Sequence, residues 1–272
     1  GDKVCVQPNC YQTYTVDRQR HHESHCSHPI GPLSPGCQSW LGLSACSGYQ
    51  ESGADRCRTG ASQIPYYLVG DKWIPLPSSL KHITVEPAGI WGINKADSIY
   101  KYVAGNWVQA AGSLKQLDAG GDQFVVGVNI NDTPHCRTRS ATVGYKGPGS
   151  PLPWTGLPGA VKYYSCGPFG CWAVNKNDDI YLMSNVNRDT CQNNGWSHID
   201  GKLSMIEVAT DGRVFGVNSA GQVSTRDGIT ASKPEGTGWS NIPMCMHMKH
   251  VTYDLGRLWV VSKSGFAMVC TH

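Results

Sequence analysis

The chain has 272 residues, enough to bury a sizeable core as one large domain or two small ones. Its 32 Gly and 16 Pro beside only 16% charged residues point to short elements joined by turns, and apolar residues rarely recur at helical spacing, so an all-β fold is expected. A net charge of +3 with Lys and Arg scattered along the chain speaks against nucleic acid as a partner, and no apolar run approaches the roughly 20 residues needed for membrane insertion.

Residues 1–63 hold six of the twelve cysteines: Cys5, Cys10, Cys26, Cys37, Cys46 and Cys57. An even, dense set of this kind is a disulfide framework, which implies an oxidising, extracellular setting. The chain starts with Gly rather than Met, as expected once a secretory signal has been removed. His21, His22, His25 and His28 surround Cys26, but no zinc-type spacing occurs, and a stapled, loop-rich segment is the better reading. The segment 1–63 is therefore set apart as an atypical, Cys-rich N-terminal region that contributes to the first or closing blade of the architecture described next.

From residue 64 onward the chain repeats itself. Tyr66–Trp73 aligns with Tyr100–Trp107, which makes Tyr66–Val69 the last strand of a split unit. Five further units follow at 73–103, 107–137, 154–182, 196–226 and 239–270, separated by stretches rich in Gly, Pro, Ser and Asn (138–153, 183–195, 227–238). The register is fixed by subtraction: Trp73, Trp107, Trp154 and Trp196 stand seven residues before Leu80, Leu114, Val161 and Leu203. These aliphatics lie 14 or 15 residues before Asn94, Asn129, Asn175 and Asn218. The fifth unit is degenerate, with Trp239, Met248 and Ser262 at these places. Units of short antiparallel strands with this period predict a β-propeller, and five units plus a split one make a six-bladed ring across residues 64–272.

Three stretches carry a family likeness: Gly-Ser-Leu-Lys-Gln-Leu-Asp-Ala-Gly-Gly-Asp (112–122), Lys-Tyr-Tyr-Ser-Cys-Gly-Pro-Phe-Gly-Cys-Trp (162–172) and Leu-Ser-Met-Ile-Glu-Val-Ala-Thr-Asp-Gly-Arg-Val-Phe-Gly-Val-Asn (203–218). Over about residues 64–272 the chain resembles the tectonin-repeat fish-egg lectin family, relatives of tachylectin-1. The resemblance implies a secreted tectonin propeller of egg or innate defence that binds N-acetylglucosamine (GlcNAc)-type sugars or bacterial surface glycans. A protein–protein interaction propeller without sugar binding is the alternative, and assembly into an oligomer is compatible with either.

Candidate carbohydrate-binding residues lie in the repeated turns. Asn94 with Asp97, Asn129 with Asp132, and Asn175 with Asp178 set an amide beside a carboxylate, groups suited to sugar hydroxyls, and Asn218 marks the fourth copy. The same residue types also close turns on their own backbone. Trp107, Trp154 and Trp196 offer flat apolar faces for sugar rings, and their fixed register equally suits packing between blades. Oxygens at Asp118–Asp122 and Thr210-Asp211 fit Ca²⁺ in type, but one or two carboxylates per tip favour turn chemistry.

No G-x-S-x-G motif or P-loop occurs, and His22-Glu-Ser-His25 is one residue too short for H-E-x-x-H, so no enzyme is expected. A hydrolase would need acidic and basic side chains converging on the channel of the ring. Cys166 and Cys171 flank a hairpin tip and are expected to pair, as are Cys136 and Cys191 at the borders of two inserts. Cys270 is expected to tie the last strand to Cys5 or Cys10 and close the ring, while the partner of Cys245 stays open. Asn131-Asp-Thr133 is a glycosylation sequon, weakened by the Pro134 that follows it.

Overall fold

The computed structural model describes residues 11–13, 43–45 and most of 64–271. Two short antiparallel pairs come first, β1 (Tyr11–Thr13) with β2 (Leu43–Ala45), and β3 (Tyr66–Val69) with β4 (Lys72–Pro75). Four four-stranded antiparallel sheets follow, each a meander in chain order. The first comprises β5 (His82–Glu86), β6 (Gly89–Ile93), β7 (Ser98–Val103) and β8 (Asn106–Ser113). The second comprises β9 (Gln116–Asp118), β10 (Val125–Val128), β11 (Pro134–Arg137) and, after the five-residue helix α1 (Arg139–Val143), β12 (Thr155–Gly156). The third holds β13 (Tyr163–Gly167), β14 (Gly170–Val174), β15 (Asp179–Met183) and β16 (Ser197–Lys202), and the fourth holds β17 (Met205–Val208), β18 (Val214–Val217), β19 (Val223–Asp227) and β20 (Gly238–Ile242). A three-stranded sheet ends the chain: β21 (Met248–Asp254), β22 (Arg257–Ser262) and β23 (Ala267–Thr271). The all-β expectation holds.

The phase of the repeat differs from its reading in the sequence. Trp107 and Trp239 lie on the fourth strand of a sheet, and Trp154 and Trp196 immediately precede one, so each Trp closes a sheet instead of opening a unit. The inserts at 138–153 and 183–195 accordingly fall inside sheets, between third and fourth strands. A tandem repeat has no intrinsic start, and only the hydrogen-bond ladder decides where one sheet ends.

Packing explains the constant spacing. A Cβ added at Gly92 would sit 2.5 Å from Leu80 Cδ1, at Gly127 2.7 Å from Leu114 Cδ1, and at Gly216 2.5 Å from Leu203 Cδ1. In these three sheets the leucine before the first strand fills the space that the missing side chain leaves. In the third sheet the aliphatic is the shorter Val161 and the facing residue is Ala173, so the summed volume is roughly kept, as a close-packed core requires. Between consecutive sheets lie separate apolar cores, for example Trp91, Ile93 and Ile99 against Leu117 and Val125. The first strands β5, β9, β13, β17 and β21 stand side by side in that order. Val261 of the last sheet shares a cluster with Leu76, Leu80 and Ile83 at the start of the repeat.

Two of the expected disulfides are present. Cys166 faces Cys171 across the β13–β14 hairpin with Cα atoms 4.0 Å apart, and Cys136 of β11 joins Cys191 in the insert of the third sheet across 6.0 Å. The expected bonds of Cys270 to Cys5 or Cys10, the partner of Cys245 and, apart from β1 and β2, the account of residues 1–63 fall outside the described residues.

Candidate functional site

The repeated turns are built alike. Asn94 Oδ1 accepts hydrogen bonds from the backbone N–H of Ala96 and Ser98 (3.0 and 2.9 Å), Asn129 Oδ1 from Asn131 and Thr133 (both 2.9 Å), and Asn175 Oδ1 from Asn177 and Asp179 (2.9 and 3.0 Å). Asp97, Asp132 and Asp178 occupy the left-handed region at φ 64, 62 and 65°, where the fourth copy has Gly221. Their carbonyls receive the N–H of Leu114, Val161 and Leu203, so each turn holds the start of the next sheet. Their carboxylates pair with Lys81, Lys115 and Lys162. Asn175 Nδ2 donates to Asp179 and Asn218 Nδ2 to Gln222, whereas the amide nitrogens of Asn94 and Asn129 keep their donors.

The Trp residues form a second series. Trp154 Nε1 donates to Ala111 O (2.9 Å), Trp196 Nε1 to Pro158 O (2.8 Å) and Trp239 Nε1 to Asp200 O (2.8 Å). Each ring lies over the positive-φ glycine that follows its acceptor, namely Gly112, Gly159 and Gly201, where an added Cβ would meet the indole at 2.9–3.0 Å. The Trp of one sheet thus latches onto the outer edge of the sheet before it. Trp107 has Ser78 in place of that glycine, and its Nε1 is buried without a partner.

The structure also assembles a polar cluster that no sequence motif announced. The first strands of five sheets converge with His82 and Thr84 (β5), Asp118 (β9), Tyr163 and Ser165 (β13), Glu207 (β17) and His250 (β21). Tyr163 Oη donates to Glu207 Oε1 and lies 3.0 Å from His250 Nε2, and a neutral imidazole with its proton on Nε2 satisfies both contacts. Ser165 Oγ donates to Asp118 Oδ2 (3.1 Å) and accepts from Val208 N, while Asp118 Oδ1 accepts from Gly120 and Cys166. His82 Nε2 donates to Leu117 O at 2.8 Å. Burial pushes the His82 imidazole down to about 4, and burial together with Lys249 pushes His250 down to about 3. Burial first, and then the Glu207 carboxylate, raise Asp118 above the usual carboxylate range. Acids and bases do meet here, yet Asp118, Ser165 and His250 are buried and bonded within the cluster. The only signal for it in the sequence was polar residues at alternate positions of otherwise apolar strands.

A further feature lies on the insert of the third sheet. Pro158, Ser184, Asn185, Val186, Asn187, Gln192, Asn193 and Asn194 line an open groove of about 880 Å³. Asn187 Oδ1 caps the backbone N–H of Asp189 and Thr190, and Asn193 bonds Gly195 N and Cys191 O, so these two amides shape the loop. The Cys136–Cys191 bond anchors it. Among the described residues no group of three or more His, Cys, Asp or Glu is placed to hold a metal ion, and Asp118 uses its carboxylate inside the polar cluster.

Sheets cut from one repeated unit, joined by closely similar turns and indole latches, define a modular all-β repeat protein. The chain belongs to the tectonin domain family, whose model matches residues 53–263. It is 49% identical over 157 residues to the fish-egg lectin of Cyprinus carpio, a match that covers 57% of this chain and 65% of the carp protein. In three dimensions it is similar to Prp20p of Saccharomyces cerevisiae, with a TM-score of 0.52 at 10% identity over 98% of this chain and 82% of that one, a likeness of fold alone. No helix among the described residues is long and apolar enough to cross a membrane.

Proposed function

We propose that the protein is a non-catalytic lectin that binds GlcNAc-containing glycans, including those of bacterial surfaces, and acts outside the cell in egg or innate defence. The observation that carries this reading is the 49% identity to the carp fish-egg lectin inside a chain of the tectonin family. We further propose a six-bladed propeller over residues 64–272, closed with the help of the N-terminal segment. Support comes from the side-by-side first strands, from the cluster of Val261 with Leu80 and Ile83, and from the approach of β1 to β4 and of β2 to β23. The polar cluster is read as the hub that clamps the first strands together, since its members already hold one another.

At the repeated turns, the groups left for a sugar are the free amide nitrogens of Asn94 and Asn129, the outer faces of Lys–Asp pairs such as Lys162–Asp178, and the exposed edges of Trp107, Trp154 and Trp196. Such sites are shallow. A monosaccharide is held at about 1 mM, near −4 kcal/mol, and useful affinity comes from several sites engaging one glycan-coated surface. Calorimetric or NMR titration with free GlcNAc should show saturable binding that galactose does not reproduce. No binding at tens of millimolar would overturn the lectin reading and leave an interaction propeller in its place.

A further inference from the structure

We propose that the groove on the insert of the third sheet is a second glycan site, distinct from the repeated turns and selective for an acetamido sugar. The proposal rests on the lectin reading above and adds a place and a chemistry to it. Of the five carboxamides that line the groove, Asn187 and Asn193 are consumed in holding the loop. The side chains of Asn185, Gln192 and Asn194 make no hydrogen bond to described residues and are open to the groove; all three residues are exposed. Each carries a carbonyl that accepts and an NH2 that donates, the pairing that hydroxyl groups and an acetamido N–H and C=O require.

The lining holds no charged residue, so neither an anionic nor a cationic ligand finds a counter-ion there. Pro158 and Val186 supply the apolar part of the wall, suited to the acetamido methyl group. Val186 also packs against the core that contains Cys136 and Cys191, beside Trp196, whose indole N–H holds the Pro158 carbonyl. Both apolar wall residues are therefore fixed by groups behind them, and the disulfide pins the loop between Asn187 and Gln192. A groove pre-shaped in this way avoids the ordering of a free loop on binding. The inserts at the same place in the second and fourth sheets, 138–153 and 227–238, contain no Asn or Gln, so one such site is expected per chain.

The test uses the full chain and three probes: N,N′-diacetylchitobiose, the same disaccharide without acetyl groups, and cellobiose. In NMR titrations the side-chain NH2 signals of Asn185, Gln192 and Asn194 should shift with diacetylchitobiose and not with the other two. Replacing Asn185, Gln192 and Asn194 together by Ala should weaken diacetylchitobiose by about 10-fold or more, the loss of two or three modest hydrogen bonds. The melting temperature should stay within about 1 °C of wild type, because no protein group loses a partner. Val186→Ala should weaken only the acetylated probe. Unchanged affinity in the triple variant, while the wild type still binds, overturns the groove and leaves the lectin reading standing. Absence of binding in the wild type overturns both.

Discussion

The repeated turns and the third-sheet insert use the same residue types to opposite ends. In the turns, Asn caps backbone N–H groups and Asp pairs with Lys while its carbonyl holds the next sheet. In the insert, two amides do such work and three face outward with none of it. The contrast teaches that repetition in this chain marks what every sheet needs to be joined to the next. Polar groups that occur once and stay unsatisfied are the better sign of a ligand.

The largest expected effect separates loop from sheet. Replacing Cys136 and Cys191 by Ala opens a link of sequence separation 55. In the loop-entropy model such a link is worth about 4 kcal/mol. Denaturant unfolding should report that loss, and acetamido-sugar binding at the groove should fall with it. Retained binding would show that the insert shapes itself without the staple.

The polar cluster of the first strands is the case that could break the contrast, because it is not repeated and yet is largely bonded within itself, His250 Nδ1 alone among its imidazole nitrogens being buried without a described partner. His82 and His250 are depressed from 6.5 to about 4 and about 3, so the unfolded chain binds more protons than the folded one below pH 6.5. Their contribution is present above about pH 6.5 and is lost as pH falls through that window. By pH 5 the loss should reach roughly 2 kcal/mol for each histidine. The raised Asp118 works the other way and moderates the drop, since it prefers the protonated form when folded. Melting curves from pH 7 to 4.5 should show the decline and His250→Gln should flatten it, with sugar affinity at pH 7 unchanged. A matching loss of affinity in that variant would make the polar cluster part of a binding site.

A smaller effect tests the turns themselves. Asn175→Ala removes the acceptor for two backbone N–H groups and should cost about 1 kcal/mol, seen as a drop of a few degrees in melting temperature. The smallest effect is expected at Asn194→Ala, which should stay within about 0.5 kcal/mol of wild type because an exposed, unbonded amide is removed. Equal destabilisation by the two would erase the distinction drawn between turn and insert.

Much of the sheet order was legible because one unit, read repeatedly, fixes its own register: Leu80 to Asn94 and Leu203 to Asn218 constrain each other even where single stretches are ambiguous. Cys166 and Cys171 were legible as a local pair because strand register alone brings them face to face. The phase of the Trp residues was not, since Trp154 is hydrogen-bonded to Ala111 of the preceding sheet and nothing local in the sequence says so. The polar cluster was illegible for a similar reason. It draws His82, Asp118, Tyr163, Glu207 and His250 from five strands, and only their assembly reveals that these residues meet. The groove hid in a stretch whose Asn-rich composition reads as a plain connector.

The fit of Leu80 to Gly92, Leu114 to Gly127, Leu203 to Gly216 and Val161 to Ala173 has a consequence for how such a chain changes over time. A methyl group added on one side of the pair must be surrendered on the other, so the two positions drift together or not at all. Any of these four units can be duplicated or moved together with its own matched pair, whereas the last sheet, with Met248 and Val260 at the two places, departs from the pattern. A crossover that falls between the aliphatic residue and the second strand would join Leu203 to an alanine, or Val161 to a glycine, and leave the hybrid either overfilled or hollow. Recombination breakpoints tolerated by this fold should therefore cluster in the Trp-bearing strands and their inserts, where novelty such as the amide groove has room to arise.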